Sequence, residues 1–358
     1  MGDGRAAPLE IAIVMMSALG DAVHVLPVAN AMKRAWPATR ITWILQPVPH
    51  ALVRGHPAVD AFLVFPRHGG PSAWYAFARK LRRRRFDLLL DLQVYLKAGL
   101  VTAVARARER WGFDRARARD LNWLFTNRRI PPHPPQHVQD QYFEFLHALG
   151  VNPEPVEWGI PLTPEERAAA RAFLDALGRP ACGIVVGTSK PEKNWMPDRY
   201  ARVADALASE FGFAPVLLGG PGRGERAIAD AILARARVPV ADALADDVRR
   251  LAALIAGCRL VLSPDTGPLH IARALDVPVV GLYGYTNPKR TGPYRKFTEL
   301  VVDGYARTPG EDYPCSPEVR PDGMARVTVE AVLEKVQLAV DTYLRPKPER
   351  AEPTYPVG

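Results

Sequence analysis

Three short stretches of this chain join small, hydroxyl, acidic and basic residues in patterns that suit a phosphorylated ligand. The first is Ser17-Ala18-Leu19-Gly20-Asp21, followed by a helical pattern through His24, Val28 and Met32. Gly20 permits a tight turn with the backbone close to a ligand. Asp21 reads either as a helix N-cap or as a general base on a cleft loop. The second is Gly187-Thr188-Ser189-Lys190-Pro191-Glu192-Lys193-Asn194-Trp195, which offers the amide, hydroxyl and ammonium donors that diphosphate oxygens accept. It is not a Walker A loop, since no Gly-Lys-Ser/Thr occurs.

The third stretch, Ser263-Pro264-Asp265-Thr266-Gly267-Pro268-Leu269-His270-Ile271-Ala272, is the most informative. A strand runs into a small polar turn and then a helix whose unpaired amides can hold an anion. Thr266 and Gly267 fit a phosphate contact, and His270 stands one turn further on the same face. Asp265 can read hydroxyls or cap the helix. By contrast, Gly219-Gly220-Pro221-Gly222-Arg223-Gly224 lacks the G-x-G-x-x-G spacing and reads equally well as a surface loop.

These turns need a scaffold, and the chain supplies one. Ile11–Met16, Ile41–Leu45, Ala61–Phe65 and Leu88–Leu92 are apolar runs of strand length, with helical patterns at Asp21–Ala35, Ser72–Arg84 and Tyr95–Arg106 between them. After Gly178 the alternation restarts. Strands are predicted at Gly183–Val186, Pro215–Leu218, Leu260–Ser263 and Val279–Tyr283, with helices at Pro197–Phe211, Glu225–Ala236, Asp247–Ala256 and Thr266–Leu275. Continuous apolar strands alternating with helices predict an α/β fold with parallel sheets. Prolines 153, 155 and 161 interrupt the middle. The expected layout is a Rossmann-like domain over 1–160 and a second over 161–325, facing across a cleft. A last helix over 326–344 would pack back across them, and 345–358 would form a frayed tail.

Composition narrows the classes. The 358 residues are 48% apolar and 24% charged, which are globular values and not those of a disordered chain. No run of about 18 uncharged apolar residues exists, which excludes a spanning helix. Residues 1–10 lack the pattern of a signal peptide. Cys182, Cys258 and Cys315 are too few and too scattered for a disulfide framework or a zinc site. The expectation is a cytoplasmic protein. Residues 1–160 carry 21 Lys and Arg against 13 Asp and Glu, so +8 of the net +9 lies there. That asymmetry points to an anionic partner for the N-terminal part. Nucleic acid is disfavoured because no helix-turn-helix, RRM or zinc pattern occurs. A nicotinamide dehydrogenase is disfavoured because the glycine fingerprint is missing.

The ordered motifs resemble the ADP-heptose:lipopolysaccharide heptosyltransferases, glycosyltransferase family 9. The resemblance is carried by Asp265-Thr266-Gly267-x-x-His270-x-x-x-Ala274-Leu275 with Pro278, by Leu282-Tyr283-Gly284-Tyr285-Thr286-Asn287-Pro288, and by Thr291-Gly292-Pro293-Tyr294. Upstream it is carried by Ser17-x-Leu19-Gly20-Asp21-x-x-x-x-Leu26-Pro27, by Phe86-Asp87 to Asp91-Leu92-Gln93 with Lys97, by Gly112-Phe113-Asp114, by Asn127 and by Gln136-His137-Val138. It spans roughly Ile11 to Val336. It implies the GT-B fold, with an ADP-sugar in the C-terminal domain and a lipid-linked acceptor on the N-terminal one. It implies an inverting reaction needing neither metal nor cofactor, the ADP-heptose being a substrate; no Asp-x-Asp occurs.

Carried over residue by residue, the resemblance makes Asp21 the catalytic base and sets Lys193 on the donor diphosphate, with Thr188 and Ser189 beside it. Asp265, Thr266, Gly267 and His270 become the donor turn, and Lys97, with Ser17, Gly20 and Arg119, belongs to the acceptor side. The anionic acceptor implies peripheral contact with the cytoplasmic face of the inner membrane, with the clusters Arg79–Arg85 and Arg106–Arg119 as sources of charge. Three positions depart from the family pattern. Arg223 stands where a ribose-binding carboxylate is common, leaving Glu225 as the nearest acid for the donor. Val94 replaces a glycine, and Pro268 replaces Leu or Met. A GT-B enzyme using another nucleotide-sugar remains the alternative.

Overall fold

The computed structural model describes residues 7–345. The frayed tail expected at the C-terminus lies outside the described residues from 346 onward. Six parallel strands form the first sheet: β1 (Glu10–Val14), β2 (Arg40–Leu45), β3 (Ala61–Val64), β4 (Arg85–Asp91), β5 (Arg106–Gly112) and β6 (Arg128–Arg129). The second sheet holds β7 (Ala181–Val185), β8 (Ala214–Leu218), β9 (Ala241–Asp242), β10 (Leu260–Pro264), β11 (Val279–Tyr283) and β12 (Val301–Asp303), also parallel. Their orders are β3-β2-β1-β4-β5-β6 and β12-β11-β10-β7-β8-β9, so both sheets are wound alike. In each, the order reverses between two central strands, β1 and β4 or β7 and β10, which opens a crevice beyond their carboxyl ends.

The central strands are apolar on both faces because helices cover both. Ile11, Ile13 and Met15 enter the cluster that includes Leu26 and Phe145, while Ala12, Val14 and Met16 pack with Phe77, Leu81 and Val101. Successive side chains of one strand thus serve opposite layers. The sequence reading missed β5, β6, β9 and β12. In β5, the run Arg106-Ala-Arg-Glu-Arg has no apolar continuity, and β6 and β9 are two-residue sheet edges. It also missed the helices Pro47–Val53 and Val138–Ala148.

Thr163 and Glu166 cap the helix Pro164–Asp175 reciprocally, Glu166 N donating to Thr163 Oγ1 at 3.2 Å and Thr163 N to Glu166 Oε2 at 2.9 Å. Glu166 also pairs with Arg249, a buried residue of helix Val248–Gly257. The Arg249 guanidinium donates to Pro161 O and, at 3.3 Å each, to Ala51 O and Leu52 O of the first half. One side chain therefore joins both halves and the segment between them. The last helix, Val329–Ala339, was expected to pack back across the domains. It lies against β11, β12 and helix Pro197–Ser209 of the second half. Val329, Val332, Val336 and Ala339 are buried there, and Lys335 Nζ holds Glu299 O at 2.7 Å.

Candidate active site

The helix Leu19–Ala35 starts directly beyond the carboxyl end of β1, and Asp21 is its third residue. One carboxylate oxygen accepts Ala18 N–H at 2.9 Å, and the other accepts the Tyr142 hydroxyl at 3.0 Å. Asp21 is therefore not the N-cap, which is Ala18; it is the third residue of the first turn, holds the cap's amide and lines the cleft. Burial, and then the Asp21 charge, push the Tyr142 hydroxyl well above its usual range, so it stays a donor. Tyr142 sits on the helix Val138–Ala148, which the sequence reading passed over; its pattern of Val138, Tyr142, Phe145 and Leu146 is the signal that would have found it.

Across the cleft, Asp265 directly follows β10. Lys193 Nζ donates to its carboxylate at 2.7 Å and to its carbonyl at 3.2 Å, Thr286 Oγ1 donates at 2.6 Å, and His270 Nε2 stands 3.7 Å away. Burial alone would raise the Asp265 carboxyl, but His270 and Lys193 more than offset it and hold it well below the carboxylate range. Thr266 is the cap residue of the helix Gly267–Ala274, whose first turn carries Gly267 and His270. Thr188 is tied into its own loop, its amide reaching Asn194 Oδ1 at 2.9 Å and its hydroxyl Lys190 O at 2.6 Å; Ser189 is exposed. Glu225 accepts Gly220 N–H at 3.0 Å, and a Cβ on Gly187 would lie 2.4 Å from its Cγ. Only a glycine at 187 lets this carboxylate into the crevice.

The two halves meet where the two helix starts face each other. His24, one turn beyond Asp21, stacks edge-on against His270 with ring centroids 4.5 Å apart. Burial, then neighbouring His270 and His137, hold His24 well below its ordinary range. His137 bonds Gly292 O at 2.9 Å, and burial lowers it to about 4. One cleft of about 1060 Å³ is lined by Asp21, Ser17, Gly20, Arg119, Thr188, Ser189, Lys193, Glu225, Asp265, Thr266, Gly267 and His270.

Lys97 is the exception. It lines an adjoining pocket of about 280 Å³ with Arg67 and Gln46, its ammonium 4.6 Å from the Phe65 ring. Burial, then Arg67, lower it from the usual lysine range. Asp91, at the end of β4, is fully buried and pushed up to about 7 by burial despite bonds from Asn122, Thr102 and Gln93. The basic clusters are divided by the fold. Arg85 and Arg106 begin β4 and β5, at the amino ends of the strands and opposite the crevice, whereas Arg119 stands at the crevice itself. The loop over 309–323 is folded by Arg320 pairing with Glu311 at 2.8 Å and brings Pro317 to the cleft.

Two like-wound parallel sheets with facing crevices form a fold of the GT-B class, with an acidic and a basic residue set converging on one cleft. Residues 74–318 match the model of glycosyltransferase family 9 (heptosyltransferase), and the chain belongs to that family. It is 32% identical over 296 residues to the lipopolysaccharide core heptosyltransferase OpsX of Haemophilus influenzae, covering 82% of this chain and 84% of that protein. It is 31% identical over 325 residues to lipopolysaccharide heptosyltransferase 1 of Pseudomonas aeruginosa, covering 86% of each. Among solved structures it resembles the Escherichia coli heptosyltransferase WaaC with ADP, with a TM-score of 0.73 at 22% identity over 92% of this chain and 99% of that one. The E. coli ADP-heptose lps heptosyltransferase II also gives a TM-score of 0.73 at 22% identity, over 94% and 100%.

Proposed function

We propose that the protein transfers heptose from ADP-heptose to the lipopolysaccharide inner core, either Kdo–lipid A or a core already carrying heptose. The observation that carries this reading is the convergence of Asp21 and the Lys193–Asp265–His270 group on one cleft. The donor lies on the second half. There the start of the helix Gly267–Ala274 and Lys193 face the diphosphate, and Glu225 is the acid at hand for the ribose. Lys193 uses two of its three N–H bonds on Asp265, leaving one for a phosphate oxygen.

The acceptor lies against the first half, among Ser17, Gly20, Arg119 and, in the adjoining pocket, Lys97. An acceptor hydroxyl attacks the anomeric carbon on the face opposite ADP. The new C–O bond forms as the bond to the phosphate oxygen breaks, and the configuration inverts. The hydroxyl proton passes to Asp21, whose two oxygens each keep a lone pair beyond those used by Ala18 and Tyr142. The departing ADP takes the bonding electrons, and Lys193 offsets their charge. A lipid-linked acceptor brings the reaction to the cytoplasmic face of the inner membrane. Among the described residues no helix is long and apolar enough to cross it, so the expected attachment is peripheral. Calorimetric titration with ADP, UDP and GDP tests the donor: ADP should bind selectively, and equal or tighter UDP or GDP binding overturns the reading.

A further inference from the structure

Four leucines stand exposed together beside the acceptor side of the cleft. Leu96 and Leu100 lie one turn apart on the helix Leu96–Val104 and are 42% and 41% exposed. The short 3-10 helix Asn122–Phe125 packs directly on that helix. Asn122 Nδ2 donates to Tyr95 O at 3.0 Å, and a Cβ on Gly99 would lie 2.4 Å from the Phe125 ring. Leu121, which caps this second element, and Leu124 within it are 59% and 54% exposed. Leu121 adopts φ 60°, a left-handed backbone that a leucine rarely takes. The fold thus holds a bulky apolar side chain in an unfavourable conformation and turns it outward.

The surroundings are cationic and amphipathic. The guanidinium groups of Arg115 and Arg129 lie over the Trp123 ring, 4.6 and 5.4 Å from its centroid. Residues 115–129 contain five arginines and one acid, Asp120. Arg117 pairs with Asp114 and Glu144, and Arg128 lies 4.0 Å from Glu109, so the rim rests chiefly on Arg115, Arg119 and Arg129. Leucines with a tryptophan and a rim of arginine are the composition of a surface that inserts shallowly among acidic headgroups. The location adds a reason. Tyr95 and Arg119, which flank the leucines, also line the main cleft, and Arg119 N donates to Val94 O at 2.7 Å.

We propose that Leu96, Leu100, Leu121 and Leu124, with Trp123 and the arginine rim, seat the protein on an anionic lipid bilayer. The acceptor sugar then enters the cleft past Tyr95 and Arg119 while its acyl chains remain in the membrane. The proposal rests on the lipid-linked acceptor argued above, but its test needs neither acceptor nor donor. Attachment has two parts: arginine attraction that salt screens, and leucine burial that salt does not weaken.

Co-sedimentation with vesicles of equal parts phosphatidylethanolamine and phosphatidylglycerol, against pure phosphatidylcholine vesicles, reads both parts. Wild-type protein should bind the anionic vesicles, more weakly but measurably at high salt. A Leu121→Ser, Leu124→Ser double variant should bind them about tenfold more weakly or worse, with melting temperature and ADP affinity unchanged. Trp123 emission should shift to the blue on vesicle binding, a shift that Trp123→Phe removes. Wild-type binding by the double variant overturns the proposal, as does failure of the wild type to bind anionic vesicles at low salt. Lipid-free dimerisation that the double variant abolishes, without a change in vesicle binding, also overturns it in favour of a contact between copies. Absent heptose transfer beside intact, leucine-dependent vesicle binding overturns the transfer reading and upholds the surface.

Discussion

Gly20 packs against the imidazole of His270 so closely that a methyl group on its Cα would stand 2.7 Å from Cδ2. The reverse contact is almost as tight: a Cβ on Gly267 would lie 2.9 Å from Leu19 Cδ2. Each half presents a glycine to the other at the start of its site helix, and these two glycines set how near Asp21 comes to the donor turn.

Gly20→Ala should therefore force the two helix starts apart or rotate His270 away from Asp265. Overpacking of this kind costs about 1–3 kcal/mol, and both the melting temperature and turnover should fall. Normal turnover with a normal melting temperature would mean that the contact does not set the working geometry.

Asp21→Asn separates the contact with the cap amide from the base. The carboxylate accepts from Ala18 on one oxygen and from Tyr142 on the other, whereas the amide offers a single acceptor oxygen. Stability should drop by about 1 kcal/mol. Turnover should fall by roughly 10²–10⁴-fold through loss of the general base, with ADP affinity nearly unchanged. Near-normal turnover would leave Asp21 with the cap amide alone.

Lys193→Ala should weaken ADP binding by roughly 1.5–3 kcal/mol through loss of a charge-assisted contact. It should also change the acid limb of stability. Asp265 is held below its unfolded value, so its contribution is fully present above about pH 4 and is lost as the pH falls further. Without Lys193 the folded-state depression shrinks, and unfolding curves recorded from neutral to acidic pH should show a smaller loss over the acid range. An acid limb identical to wild type would show that the ion pair does not hold Asp265 ionised.

Much of this site was legible because its parts follow buried strands. The runs that became β1, β7 and β10 are apolar but for Glu10 at the start of β1 and Ser263 near the end of β10, and each leads into polar residues that line the cleft. The resemblance puts Lys97 near the acceptor, and its side chain lines a neighbouring pocket that shares Ser17, Gln93 and Tyr95 with the cleft. Its ammonium settles over Phe65, which lies at the end of a different strand, and strand order is not written in local spacing. β5 was read as a stretch of charge because Arg106, Arg108 and Arg110 conceal a strand whose register is set by β4. Tyr142 touches Asp21 across 121 positions, a pairing that only the packing of two helices creates.

Arg249 reaches the first half through main-chain oxygens alone. A carbonyl belongs to every residue, so exchanging Ala51 or Leu52 for another side chain leaves the oxygens in place. The first half can therefore vary its sequence around this joint without dismantling it, while the second half is held to a single residue. A chimera that keeps this second half and exchanges the first needs only the same backbone path at positions 51 and 52, so long as Arg249 stays.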